Sequence, residues 1–318
     1  MSITNYKPDS MMMFEFSDFS KYRIQLMGVS IVAVMLFHAF GRYSLFAWGT
    51  VGVEFFLVIS AIGLYFSLSR DQRLLPFYGR RLMRILPAYL IVAIIYYLLM
   101  DWGNLDWSRF LYNISGLCIL EGRLDFWFIG LILVCYLVAP FYYRLMKYKY
   151  SILLPFVMLV VCFALGLRFV SLEIVLNRFA IFFMGLHLAR WVHEKKRIQV
   201  PHLWLLCLVA FLMIVVVNQV DCYVGFRRVA GFILSIPVLM GCILLLKKAS
   251  RPVHVGLIFM GAMSLELYMI HERICLYMLL GQMDYNIRGI ISFPIAILLA
   301  YLLHKALGLA LGNVGAKR

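Results

Sequence analysis

Two residues suited to acid–base chemistry interrupt apolar runs in the stretch FHAFGRYSLFAWGTVGVEFFLVIS, namely His38 and Glu54. A carboxylate that is hydrogen-bonded to one imidazole nitrogen fixes the tautomer and makes the other nitrogen a better base toward a hydroxyl. The sequence therefore suggests a His–Glu general-base pair. A purely structural role is equally open, in which Glu54 caps a helix or pairs with Arg42 and His38 is a hydrogen-bonded residue at the membrane interface.

A cluster of basic residues follows in the stretch SRDQRLLPFYGRRLMRILPAYL, which contains Arg70, Arg73, Arg80, Arg81 and Arg84. Arg81 and Arg84 are three residues apart and would share one helix face. Guanidinium groups suit phosphate, so this stretch is a candidate site for the phosphates of an acyl-CoA. Charge alone favours the simpler role of setting membrane topology or binding anionic lipid headgroups.

The elements that must position these residues are membrane helices. Hydrophobic residues make up 64% of the chain and charged residues 14%, which leaves too little polar surface for a water-soluble domain of 318 residues. Apolar runs near the ~20 residues needed to cross a bilayer recur from end to end. They predict an all-α, polytopic integral membrane bundle of about ten spans: 24–41, 47–68, 85–100, 126–143, 152–170, 177–192, 203–219, 229–246, 255–280 and 289–308. Residues 110–120 are too few to span and are predicted to form a re-entrant or surface segment.

The distribution of Lys and Arg predicts the topology. With ten spans, most of the 30 basic residues fall on one side, which the positive-inside rule assigns to the cytoplasm together with both termini. The net charge of +15 is therefore mainly a topology signal, and no nucleic acid is expected as a partner. We expect residues 1–20 to be an N-terminal tail or interfacial helix rather than a signal peptide, 21–310 one membrane domain, and 311–318 a C-terminal tail.

The sequence gives little sign of a metal or disulfide site. The seven cysteines are scattered and never form a close pair, so they are interpreted as small packing residues. The seven histidines show no metal-ligand spacing, and no metal is expected.

Several stretches taken in order carry a family resemblance. LFHAF places a His at the end of the first span, GVEFFLVIS reads Gly-Val-acidic-x-Phe-Phe-hydrophobic-Ser, and RRLMRILPAYL contains Arg-x-x-Arg-Ile-x-Pro. Further on come DFWFIGLILVCYLVAPF, RFAIFFMGLHLARW and SLELYMIHERI. Spread over roughly residues 20 to 275, these motifs resemble the membrane acyltransferase type 3 family.

The resemblance implies an activity and a location. It implies transfer of an acyl group, most often acetyl from acetyl-CoA, to a hydroxyl of a surface polysaccharide or lipid-linked sugar at the bacterial inner membrane. By motif matching, His38 is the catalytic base and Glu54 its acidic partner. By the same matching, Arg81 and Arg84 are the acyl-CoA-binding pair, and the adjacent Arg80 is a further candidate contact.

Three further residues are candidate substrate contacts. Tyr268 and His271 fall on the Ser-Leu-x-x-Tyr-x-x-His motif, although a packing role is at least as open for His271. Trp127 is expected near the outer end of its span, where an indole ring can stack on a sugar. An aromatic belt at the membrane interface is the simpler explanation for any single Trp.

Two positions depart from the family pattern. The family commonly carries an Arg eleven residues before its His, where this chain has Met27, and Arg23 one helical turn earlier is the candidate substitute. The family also reads Ser-Gly-Phe where this chain reads Ser60-Ala61-Ile62, which removes a glycine that favours close helix packing.

A transporter is the alternative function. In that hypothesis His38, Glu54 and Glu266 form a proton or substrate path, because intramembrane charges commonly mark such paths. The arginine motif beside the first three spans favours the enzyme, since a transporter does not need it. The chain also lacks a strong internal repeat of the kind that marks the halves of many transporters.

Overall fold

The computed structural model describes residues 13–101, 103–219 and 224–315. Most of them lie in α-helices, which are, in chain order, α1 Asp18–Lys21, α2 Arg23–Phe40, α3 Ser44–Ala47, α4 Gly52–Arg70, α5 Leu74–Met100, α6 Trp107–Ile114, α7 Trp127–Leu145, α8 Leu154–Arg168, α9 Glu173–His193, α10 Val200–Gln219, α11 Val224–Lys248, α12 Arg251–Ala262, α13 Ser264–Ile270 and α14 Tyr285–Gly315. A π-helix, His271–Leu279, continues α13. The strands β1 Met13–Glu15 and β2 Arg197–Gln199 pair antiparallel.

Apolar helices dominate the fold, as expected for an all-α polytopic membrane protein. Within the described residues, seven helical segments are long and apolar enough to cross a bilayer: Arg23–Phe40, Ser44–Arg70, Leu74–Met100, Trp127–Leu145, Ser151–Arg168, Val170–His193 and Tyr285–Leu311. The bent pair Arg251–Ala262 and Ser264–Leu279 makes an eighth when counted as one span.

The other two predicted spans, 203–219 and 229–246, coincide with α10 and α11. The connection between these helices, residues 220–223, lies outside the described residues. The count of ten spans and the cytoplasmic position of both termini remain predictions. The short segment predicted at 110–120 forms α6 and a 3₁₀ turn, both far shorter than a span.

The span predicted at 255–280 is not one straight helix, which corrects that prediction. The axis bends by 66° between α12 and α13, where Met263 has φ −107° and ψ 23°. Gly261 and Ser264 flank the bend, and kinks are common at such small residues because they hold helical geometry weakly. After the bend, α13 packs against α2, α5 and α14, so most of its side chains are buried.

Part of the predicted N-terminal tail, 1–20, belongs to the folded bundle. Phe14, Phe16 and Phe19, in and after β1, are buried and pack against one another. Phe16 also contacts Trp191 of α9 with ring centroids 5.4 Å apart. Burial contributes roughly 1.5–3 kcal/mol per phenyl side chain, which accounts for the order of this segment. At the other end α14 runs to Gly315, beyond the start of the predicted tail at 311.

Helix α4 lies at the centre of the bundle and carries Glu54 in its first turn. It packs between α2 and α9. In the span Ser44–Arg70, which contains α4, 78% of the most apolar stretch is buried. The contact with α9 is close, since a Cβ added at Gly185 would lie 2.8 Å from the Ala61 Cβ. Ala61 was expected to weaken close helix packing because it replaces a glycine of the family pattern. In the structure a glycine on the facing helix, Gly185, allows the close contact instead.

Candidate active site

Two histidines from distant parts of the sequence meet near the end of α2. His38 lies in the last turn of α2, and His271 is the first residue of the π-helix. His38 Nδ1 is 2.9 Å from His271 Nε2. His271 is buried, whereas one fifth of the His38 side chain is exposed. The pair therefore has one imidazole locked inside the protein and one that a substrate can reach.

The partners of His271 assign the tautomer of both rings when they are neutral. His271 Nδ1 lies 2.8 Å from the carbonyl oxygen of Leu267. A carbonyl only accepts, so His271 Nδ1 carries the hydrogen and donates it. His271 Nε2 then accepts from His38 Nδ1. The lone pair of His38 is consequently at Nε2, and both polar contacts of His38 use Nδ1, so Nε2 is available to take a proton.

A carboxylate also faces His38, and it is Glu272. The Oε2 atom of Glu272 is 3.5 Å from His38 Nδ1 and 4.0 Å from Arg273 Nε. Arg273 is held in turn, since Nη1 lies 3.3 Å from Asp125 Oδ1 and Nη2 donates to the Leu124 carbonyl at 3.2 Å. Glu272 is thus placed to stabilise the imidazolium that forms when His38 takes a proton.

This geometry makes Glu272→Gln a measurable change. The amide keeps the size of the side chain and removes the negative charge beside His38. For a reaction in which His38 acts as the base, we expect kcat to fall about tenfold, which corresponds to about 1.4 kcal/mol of transition-state stabilisation, while KM stays the same. Steady-state kinetics on purified protein check this, with Glu121→Gln, an exposed carboxylate paired with Arg109, as control. Equal turnover by Glu272→Gln and wild type would contradict the assignment.

The predicted contact between His38 and Glu54 is corrected by the structure, which pairs Glu54 with Arg178 of α9. Glu54 Oε1 lies 2.9 Å from Arg178 Nε, and both side chains are about 95% buried. The contact is an ion pair without an aligned hydrogen bond, and Glu54 Oε2 has no hydrogen-bond partner. The physical reason is helix rotation, because α4 turns Glu54 toward the tightly packed α9. Arg42, the alternative partner, instead lies over the Tyr285 ring at 4.3 Å.

Trp127 belongs to the same buried cluster. The Arg178 guanidinium lies 5.3 Å from the Trp127 ring centroid, a cation–π distance. Arg178 Nη2 also donates to Thr50 Oγ1 at 3.2 Å. One face of the Trp127 indole is therefore occupied by Arg178, and only the remaining part of the ring is available for the predicted stacking on a sugar.

A narrow cavity brings four of the predicted site residues together. It has a volume of about 60 Å³, and its lining includes Arg23, Arg81, Arg84 and Tyr268. Met27 also lines it. The Tyr268 Oη atom accepts a hydrogen bond from the Phe128 backbone N–H at 3.3 Å. The Tyr268 ring is 6.2 Å from the His271 ring, so one residue of the cavity lining also neighbours the histidine pair, although neither histidine lines the cavity.

A wide cavity adjoins the narrow one. Its volume is about 600 Å³, and its lining includes Arg23, Gly63, Arg70, Asp71 and Arg80. Because Arg23 lines both cavities, the two meet at that side chain. Hydrogen bonds from the side chain and backbone of a neighbouring arginine lower the pKa of Asp71, which keeps this carboxylate ionised. Asp71 Oδ2 also lies 3.8 Å from Arg80 Nη2.

The arginines of the narrow cavity lack anionic partners. In the described part of the chain, none of Arg23, Arg81 and Arg84 forms an ion pair with a carboxylate, and the Nε atoms of Arg23 and Arg81 are buried without a hydrogen-bond partner. Concentrating unpaired positive charge inside a helix bundle is unfavourable. An anionic ligand would remove that cost and would receive charge-assisted hydrogen bonds.

Sequence reasoning missed two charged residues of the site. Glu272 follows His271 directly in the quoted motif, and adjacency to a candidate histidine was the available signal. Arg178 interrupts the apolar stretch RFAIFFMG, and an intramembrane charge is a signal for a buried partner or a function. Neither signal names the partner, because that depends on how each helix is rotated.

The path proposed by the transporter hypothesis is not connected in the structure. Glu266 pairs with His304, whose Nδ1 lies 2.8 Å from Glu266 Oε1, whereas Glu54 pairs with Arg178 and His38 with His271. Within the described residues, no group of three or more His, Cys, Asp or Glu side chains is arranged to hold a metal ion.

Comparison with known proteins gives one match. The family model for the acyltransferase domain matches residues 25–305, which include the histidine pair, Glu272 and the arginines of α5. No curated protein and no solved structure gives a significant match. Because the matched region covers most of the chain, the protein belongs to the acyltransferase type 3 family.

Proposed function

We propose that the protein is an O-acyltransferase of the bacterial inner membrane. It moves a short acyl group, acetyl in the first instance, from cytoplasmic acyl-CoA to a hydroxyl of a cell-surface polysaccharide or lipid-linked sugar. The observation that carries the proposal is that a cavity lined by Arg23, Arg81 and Arg84, none of which pairs with a carboxylate among the described residues, shares Tyr268 with the surroundings of a histidine pair whose outer member presents a free Nε2. Family membership supports the reaction type.

The two cavities match the two parts of an acyl-CoA. The wide cavity, about 600 Å³, is within the usual range of ligand pockets and suits the phosphorylated nucleotide. The narrow cavity, about 60 Å³, is far below that range, so even the slim pantetheine arm has to widen it on entering. Arg23 and His38 are fifteen residues apart on α2, which corresponds to ~22 Å along the helix. An extended arm is therefore needed to bring the thioester from the arginines to the base.

The chemistry then follows from the tautomer. His38 Nε2 takes the proton of the acceptor hydroxyl as that oxygen attacks the thioester carbonyl, and the carbonyl electrons move to the oxygen. The intermediate collapses, the C–S bond breaks, and the departing CoA sulfur receives the proton from the imidazolium. Glu272, 3.5 Å from His38 Nδ1, stabilises the positive charge between these two steps. His271 holds the imidazole of His38 in the reactive orientation.

Tyr268 is the side chain best placed to receive the carbonyl oxygen. Its hydroxyl oxygen accepts from the Phe128 N–H, which leaves its own hydrogen to donate into the narrow cavity. A donor aimed at the developing oxyanion is the arrangement that acyl transfer needs. The acceptor approaches His38 from its exposed side, and stacking of a sugar on the part of the Trp127 ring that Arg178 leaves uncovered is a separate expectation of the proposal.

The function is tested by measuring donor use and product together. Purified protein in lipid nanodiscs is given acetyl-CoA with and without a polysaccharide extract of the host, and release of the CoA thiol is followed with a thiol reagent. Proton NMR of the recovered polysaccharide then identifies O-acetyl groups. Acceptor-dependent thiol release with new O-acetyl signals supports the proposal. Absence of both, with correctly folded protein, overturns it.

Arg81 provides a test of donor binding. Its guanidinium lines the narrow cavity, and a charge-assisted hydrogen bond is worth about 1.5–3 kcal/mol. We expect Arg81→Ala to raise KM for acetyl-CoA roughly ten- to hundredfold with a much smaller effect on kcat. Arg109→Ala removes an exposed arginine that lines neither cavity, and it serves as the matched control. An unchanged KM in Arg81→Ala would leave the arginine with a role in topology only.

A further inference from the structure

A glycine in the middle of α4 faces the junction of the two cavities. Gly63 lies well inside α4, Gly52–Arg70, and lines the wide cavity. Gly in a helix interior costs about 1 kcal/mol relative to Ala. The surroundings of Gly63 therefore have to be compared with that cost.

These surroundings show what a side chain at this position would meet. A Cβ added to Gly63 would lie 2.6 Å from Arg23 Cζ and would overlap Arg23 Nη2. The three nearest atoms all belong to the Arg23 guanidinium. The Arg23 guanidinium therefore occupies the space that a methyl group at position 63 would need, and a larger residue there would first displace the end of this flexible side chain.

Arg23 has the properties of an anion-binding residue at that junction. It lines both cavities, its Nε is buried without a hydrogen-bond partner, and no carboxylate among the described residues pairs with it. In an acyl-CoA, the diphosphate joins the nucleotide to the pantetheine arm. With the nucleotide in the wide cavity and the arm in the narrow one, the diphosphate falls at the point where the cavities meet.

We propose that Gly63 is a positioning residue for the acyl donor, because it holds open the seat in which the Arg23 guanidinium binds the donor's diphosphate. This inference rests on the proposed function. Gly63 does not touch the donor; it acts through Arg23. The diphosphate is therefore held one helical turn away from Met27, and the width of the junction is set by a single absent methyl group.

The test is Gly63→Ala, with Gly79→Ala as the matched control, since a Cβ at Gly79 in α5 meets no atom within 4 Å. Gly63→Ala is expected to raise KM for acetyl-CoA about tenfold, to change kcat by less than twofold, and to leave the melting temperature equal to or above that of wild type. The last readout separates displacement of Arg23 from general damage, because Ala favours the helix. Gly79→Ala is expected to match wild type in both kinetic constants.

Two further experiments test whether Gly63 acts through Arg23 and whether the donor group concerned is the diphosphate. In Arg23→Ala the added substitution Gly63→Ala is expected to have no further effect on KM, because Gly63 acts only through Arg23. With acetyl-pantetheine, which lacks the diphosphate, Gly63→Ala and wild type are expected to have the same KM. With acetyl-dephospho-CoA, which keeps the diphosphate, the tenfold difference is expected to persist.

Each result decides between the claims. A wild-type KM in Gly63→Ala, additive effects with Arg23→Ala, or an equal penalty with acetyl-pantetheine overturns the role of Gly63 while the acyltransferase function stands. If wild-type protein neither binds CoA in a calorimetric titration nor turns over acetyl-CoA, the proposed function fails and the diphosphate assignment fails with it.

Discussion

Under the proposed function, cells that produce His38→Ala are expected to lack O-acyl groups on the surface glycan that cells with the wild-type protein carry. We expect kcat of the purified variant to fall 10²–10⁴-fold, the usual contribution of a general base. The reason is specific to one atom. His271 and Glu272 both engage Nδ1 of His38, so Nε2 is the nitrogen left for the acceptor hydroxyl. The measurement is proton NMR of purified glycan together with thiol release from acetyl-CoA.

The control for this prediction is another histidine. His202→Ala changes an exposed residue of α10 and is expected to keep full activity. Both variants are compared at matched expression, and gel filtration in detergent reports folding. Near-normal turnover by a folded His38→Ala protein would show that the base lies elsewhere.

The largest effect on stability is expected from breaking the buried ion pair of Glu54 and Arg178. Removing one partner leaves the other charge uncompensated, which costs about 3–5 kcal/mol. Glu54→Ala and Arg178→Ala should each lower the melting temperature and the amount of protein in the membrane. The double variant Glu54→Leu/Arg178→Met replaces both charges by apolar groups and is expected to recover most of that loss. Thermal unfolding monitored by fluorescence measures all three.

Activity of the double variant decides what Glu54 does. If its role is to hold Arg178, a folded Glu54→Leu/Arg178→Met protein keeps acyl transfer within about tenfold of wild type. A stable double variant with no turnover would show that Glu54 takes part in the reaction, as the motif match predicts. Glu272→Gln supplies the comparison, because it changes the carboxylate that faces His38.

Much of the fold could be predicted because the bilayer imposes a simple rule. Long apolar runs become helices, and seven described segments meet that requirement. The predicted span at 255–280 shows where the rule ends. Hydropathy does not reveal that the helix axis bends by 66° at the small residues beside Met263. It also does not distinguish an α-helix from the π-helix at His271–Leu279. Both features depend on packing against other helices.

Part of the candidate site was predictable from the sequence, whereas Glu272, Arg178 and most of the pairings were not. His38, Tyr268 and His271 were identified from motifs and do lie together. Sequence position fixes depth along a helix at 1.5 Å per residue, and it does not fix which neighbour a side chain faces. The predicted contact between Glu54 and His38 was therefore wrong, because the rotation of α4 directs Glu54 to Arg178.

The Leu267 carbonyl has a consequence for the fate of the transferred proton. The hydrogen-bonded chain from His38 through His271 ends on this carbonyl oxygen. A carbonyl oxygen only accepts hydrogen bonds, so it carries no proton that it could pass to a further group. The positive charge of a protonated His38 can be shared with His271 through the hydrogen bond between Nδ1 and Nε2, and it cannot pass from His271 to the carbonyl. In the proposed mechanism, the proton that His38 Nε2 takes from the acceptor therefore leaves from the same nitrogen to the departing sulfur, because the Leu267 carbonyl offers no onward route.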